Sequence, residues 1–216
     1  MRKESKSKKK ILSTLKEYVN VNIKQYLIIS CVFVIGIIIG VIIFNYIDEQ
    51  TKEQVGMNIN SFIENLKSGH EIDYKELIKS VIVNHIFSTL LLWFLGCSVI
   101  GIPIMYFVIG YKGFSLGYTI STIIFTIGNL KGIPFTLATL LLQNILIIPA
   151  IISIGVSSIN LYTTIMKNKR IENIKIEIIR HTVFSFIMLI VLVIASFIEV
   201  YLSTFLLKIL VTINII

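Results

Sequence analysis

Between Lys24 and Asp48 the chain carries no charged residue, and the run from Tyr26 to Tyr46 is almost wholly apolar. A stretch of that length matches the roughly 30 Å hydrocarbon layer of a bilayer, which takes about 20 helical residues to cross. Lipid offers no partner for backbone N–H and C=O groups, so such a run must close its own hydrogen bonds as a helix. Further apolar runs occupy about 82–109, 113–129, 133–166 and 182–199. Only 15% of the 216 residues are charged and 55% are hydrophobic, far from the quarter of charged residues usual in soluble domains. The expected fold is an all-α, polytopic membrane bundle of about five transmembrane helices. Its organisation is a basic segment at 1–25 and one transmembrane domain at 26–216 that carries an extracytoplasmic helical loop at 47–80.

Charge placement sets the expected topology. Residues 1–24 hold Arg2, Lys3, Lys6, Lys8, Lys9, Lys10, Lys16 and Lys24 against Glu4 and Glu17, which puts the N-terminus in the cytoplasm. The loop 47–80 holds seven acids and four lysines and falls outside. A turn at Tyr111-Lys112 is expected inside, Asn129-Leu130-Lys131 outside, and the basic stretch 167–181 inside. The net charge of +8 therefore belongs to span flanks, and nucleic acid is not an expected partner. The first run is too long for a signal-peptide core and no small-residue cleavage site follows it, so it reads as an uncleaved span. The fourth run exceeds one membrane thickness, so it must tilt, kink or emerge.

In the outer segment, Val55, Ile59, Phe62, Ile63 and Leu66 recur at helical spacing and form one apolar stripe. The stripe is either a docking face for an extracytoplasmic partner or the side by which the helix lies on its own bundle or on headgroups. Ser68-Gly69 ends that helix, and Asp73 with Glu76 opens the next as a capping box.

Within the spans, Gly36 and Gly40 give the spacing that lets two helix backbones approach closely. Gly110, Gly113 and Gly117 fall in a stretch read as a tight turn that opens a close-packed helix. Gln143 and Asn144 sit side by side among leucines and isoleucines, and Pro149 frees the carbonyl of Ile145 nearby. A polar knot joining these groups to neighbouring helices would satisfy them. The rival is a transport path, because polar groups beside a broken helix are how transporters hold cargo. Glu199, at the end of the fifth span, is the acid nearest a span.

His70, His85 and His181 form no ligand cluster, the two cysteines Cys31 and Cys97 lie in apolar runs, and no HExxH, GxSxG or nucleotide-binding pattern occurs. No cofactor, metal or catalytic centre is expected, and the oligomeric state stays open.

Several stretches then recur in one order: Trp93-Phe94-Leu95-Gly96, Gly101-Ile102-Pro103, Lys112-Gly113-Phe114-Ser115-Leu116-Gly117-Tyr118-Thr119, Leu142-Gln143-Asn144 with Ile148-Pro149-Ala150, and Glu199-Val200-Tyr201. Together they resemble the stage II sporulation protein M family of endospore-forming bacteria, over nearly the whole chain. Leu142 and Phe205 depart from positions near which that family often has proline. The resemblance implies a non-enzymatic membrane scaffold of the engulfment machinery. Its implied partners are stage II sporulation proteins D and P, which cut septal peptidoglycan, at the sporulation septum and the engulfing mother-cell membrane. The alternative is a small transporter or channel with a polar site around Gln143, Asn144 and Pro149.

Overall fold

In the computed structural model the described residues are 16–67, 73–167 and 171–212. The basic head through Leu15, the Ser68-Gly69 helix stop, His70, the last residues 213–216 and the side chain of Leu66 lie outside them. The helices are α1 (Ile23–Tyr46), α2 (Glu49–Lys67), α3 (Tyr74–Gly96), α4 (Gly101–Ile127), α5 (Asn129–Thr136), α6 (Leu142–Lys167) and α7 (Ile171–Thr212). A π-helical turn, Leu137–Leu141, joins α5 to α6.

The starts and stops follow from local chemistry. Asp48 caps α2 by accepting the Thr51 backbone N–H at 2.9 Å, and Asp73 caps α3 by accepting those of Lys75 at 2.9 Å and Glu76 at 3.1 Å. Gly128 closes α4 with φ of +87°, a backbone state that glycine adopts without strain. Between α3 and α4 the chain reverses at 97–100. Gly101 lies so close to the Leu95 carbonyl that a β-carbon would overlap it.

The contacts fix the directions. Gly36 meets Gly110, Gly40 meets Phe114, and Phe44 meets Tyr118 and Phe125, so α1 and α4 run parallel. On α3 and α7, His85 meets Glu199 and Trp93 meets Thr182, so those two are antiparallel. Tyr26 meets Ser153 and Tyr18 meets Asn160, which sets α6 against α1. The bundle thus has a basic end, near Tyr18, Lys167 and Arg180, and an acidic end, near Asp48 and Asp73. Its core is built on Ile29, Leu92, Met105, Ile109, Ile154 and Leu192, all shut off from the surface. A smaller cluster at the acidic end joins Ile63, Ile123, Phe135 and Leu207.

Helices α1, α3, α6 and α7 are each long and apolar enough to cross a membrane alone. Helix α4, 27 residues long and carrying Lys112, runs parallel beside α1. This corrects the expected second and third spans. The break falls at 97–100, and Tyr111-Lys112 is no turn but lies in the middle of α4. Lysine's long stem lets a helix keep its apolar packing around a charge, so one Lys between glycines does not end it. The long fourth run resolves into α5, the π turn and α6. The fifth is extended: α7 is unbroken for 42 residues, about 60 Å at the α-helical rise, and carries residues 202–212 onward past one membrane thickness.

Candidate functional site

Helix α4 presents two unlike faces. On one, Gly113 and Gly117 lie against the Phe33 and Ile37 carbonyls of α1, while Gly36 and Gly40 of α1 lie against the Gly110 and Phe114 carbonyls of α4. At each of the four a β-carbon would overlap backbone, so the two helices touch main chain to main chain.

The other face borders a cleft of about 520 Å³ between α3, α4, α6 and α7. Helix α3 contributes Asn84, His85, Phe87 and Ser88; α4 contributes Phe107, Tyr111, Lys112, Ser115 and Thr119; α6 contributes Gln143 and Asn144; α7 contributes Glu199. Lys112 lies between Gly110 and Gly113, which pack on the middle of α1, so its backbone is level with the middle of that span. The Glu199 carboxylate lines the same cleft and meets His85 Nε2 at 3.3 Å. The His85 ring is held from that side only, since Nδ1 is buried with no hydrogen-bond partner. One positive and one negative side chain thus face the same open space, where an isolated charge is costly and generally functional.

The residues singled out in the sequence divide around this cleft. Gln143 and Asn144 line it, and Asn144 Nδ2 donates to the Leu140 carbonyl of the π turn at 2.7 Å. Glu199 lines it as well. Pro149 does not: it is exposed on the other side of α6, which runs through it unbroken. Four glycines of the set are on the α1–α4 seam instead. Lys112, which brings the positive charge, falls where a turn was expected, and His85, which meets Glu199, was weighed as a metal ligand. The signal for Lys112 was available, because glycines at 113 and 117 repeat the four-residue spacing of 36 and 40, which suits a helix continuing through that stretch.

On the outer stripe, Ile63 is buried in the acidic-end cluster and Ile59 packs against it, with Val55 partly covered. Phe62 and Met57 are exposed, at 43% and 60%. At the basic end, His181 is fully buried; its Nδ1 meets Ser157 Oγ at 2.9 Å and its Nε2 faces the Trp93 carbonyl at 3.4 Å, a tie that locks α3, α6 and α7 together. Nearby, burial pushes the Tyr18 hydroxyl pKa up, against the opposing hydrogen bond from Asn160. No group of three or more His, Cys, Asp or Glu side chains able to hold a metal occurs among the described residues.

Comparison with curated proteins and with solved structures finds no match. The family model for stage II sporulation protein M matches residues 29–204, a range that includes both faces of α4, the cleft and Glu199. Over most of its length, then, this sporulation-related membrane protein belongs to the stage II sporulation protein M family.

Proposed function

We propose that the protein is a non-enzymatic membrane scaffold that anchors and localises extracytoplasmic wall hydrolases, stage II sporulation proteins D and P, at the sporulation septum during engulfment. The family relationship supports sporulation as the setting. The observation that carries the scaffold reading is α2. It is a 19-residue helix outside the crossings, fixed to the bundle through Ile59 and Ile63, with an outward face that includes Met57, Phe62 and Glu64. A helix clamped on one side and bare on the other holds a partner at a fixed height above the bilayer. On this reading the docking contacts come from Phe62 and Met57, because Val55, Ile59 and Ile63 are turned to the bundle.

The test is co-purification of the two hydrolases from sporulating cells, together with electron microscopy of septal thinning. A Met57→Asp/Phe62→Asp variant should reach the membrane in normal amounts, lose both partners and stall engulfment. Full recovery of the partners with that variant, or normal thinning in a deletion strain, would remove the reading. A cysteine placed at Glu64 should react with an impermeant reagent in intact cells. Transport through Gln143, Asn144 and Pro149 is favoured by the charged cleft but not by Pro149, which lies away from it in an unbroken α6.

A further inference from the structure

We infer that the cleft beside α4 is a laterally open site for a zwitterionic lipid headgroup, with its phosphate on Lys112 and its primary ammonium on Glu199. The position of the opening argues for a ligand that arrives through the membrane. Phe87, Phe107 and Tyr111 border the cleft and are 65%, 74% and 60% exposed, so its rim is aromatic and faces the surroundings of the bundle rather than its core. Helices α3 and α4 meet at the 97–100 reversal, and the cleft lies between them beyond it. Acyl chains can lie along Phe87 and Phe107 while the headgroup enters.

The charges select the headgroup. Lys112 alone would call for an anion, but Glu199 on the same walls would repel one. A molecule carrying both signs answers both residues and leaves the filled site neutral, the condition under which charge is tolerated within a span. Among the side chains lining the cleft, Glu199, Gln143 and Asn144 supply acceptor oxygens; Asn144 uses its amide N–H on Leu140, and one Glu199 oxygen meets His85 Nε2. Three acceptors suit a primary ammonium, which has three N–H donors, better than a quaternary ammonium, which has none. This inference does not depend on the scaffold role.

The test uses the full chain, stripped of lipid in detergent and offered phosphatidylethanolamine, phosphatidylcholine or phosphatidylglycerol, with bound lipid counted by native mass spectrometry. Phosphatidylethanolamine should be retained about tenfold over the other two, equivalent to about 1.4 kcal/mol, and Lys112→Met or Glu199→Gln should erase the preference. Because either change could unsettle the fold, Ser115→Leu serves as a second variant. It fills the cleft from an exposed position without touching a charge, and should lose the lipid while keeping the parent melting temperature. Equal retention of all three lipids, or a preference that survives all three variants, overturns the site. Displacement of the lipid by excess water-soluble phosphoethanolamine overturns the membrane route and makes the ligand an aqueous solute.

Discussion

Helix α4 separates two regions that could hardly differ more. Against α1 it offers Gly113 and Gly117, where even a methyl group would overlap backbone; against α3 it offers Lys112, Ser115 and Thr119 and leaves some 520 Å³ open. The first region shows how a bundle holds together where burying apolar surface brings no gain from water, through close van der Waals contact and backbone approach. The second shows what that rigidity allows: a charged residue can be kept in the middle of a helix because that helix is fixed along its opposite side. The α1–α4 seam is thus a mechanical support for the cleft.

The largest expected effect comes from breaking the seam. Gly113→Val places two methyl groups where the Phe33 carbonyl already sits, and Gly40→Val does the same at Phe114. Each should cost about 3 kcal/mol or more, the upper range for overpacking a tight contact, seen as a drop in melting temperature and in membrane yield. Gly110→Ala sharpens the comparison. Its added carbon would meet Val32 Cγ1 at an ordinary 3.5 Å, so this variant should be close to neutral.

Next comes the charged cleft. Glu199→Leu removes the one acid that lines the cleft with Lys112 and strips His85 Nε2 of its partner. Removing one member of a buried pair costs roughly 3–5 kcal/mol. Because the cleft is open on one side, about 2 kcal/mol is expected here, after discounting for screening. The double change Lys112→Met/Glu199→Leu should recover most of that loss. A double-mutant cycle by thermal denaturation measures the coupling, and additive single effects would show that the two residues do not act as a pair.

This contrast also explains what the sequence could and could not disclose. Apolar run length exposed the helical class, because a lipid solvent leaves few alternatives. The glycine seam was half visible: spacing at 36 and 40 announced close approach, but its partner on α4 was disguised by Lys112, whose charge invited a loop. The cleft is non-local, assembled from four helices, so no single window contains it. Glu199 and His85 stand 114 positions apart and meet only because α3 and α7 are antiparallel. Pro149 misled in the opposite direction, since a proline facing outward on a long helix need not break it. Phe205, in place of a proline, agrees with α7 running straight to Thr212.

A smaller effect distinguishes the two sides of α2. Ile63→Asp drives a carboxylate into the cluster with Ile123, Phe135 and Leu207 and should cost about 2–3 kcal/mol of local stability. Hydrogen exchange across α2 would rise while the crossings stay protected. Phe62→Asp, on the exposed side, should leave exchange unchanged. If both variants loosened α2 equally, the helix would not be anchored by the face described.

The smallest effect concerns how α2 begins, and it is set by pH. The Thr51 backbone N–H bonded to Asp48, with a further bond from the Thr51 hydroxyl, holds the Asp48 carboxyl below its ordinary value of 3.8. A carboxylate with a lowered folded-state pKa stabilises the fold above the unfolded value and loses that contribution as pH falls through the folded one. Protection against exchange at the first turn of α2, taken relative to the intrinsic rate at each pH, should therefore be constant from neutral pH down to about 4, then fall relative to the α2 interior on further acidification. Asp48 is fully exposed, so the change stays confined to that turn and the bundle keeps its melting temperature. Asp48→Asn retains a capping oxygen without a titrating group, so it should remove the pH dependence yet keep the protection at neutral pH. Fraying of the same size in that variant at acid pH would assign the effect to some other carboxylate of the acidic end.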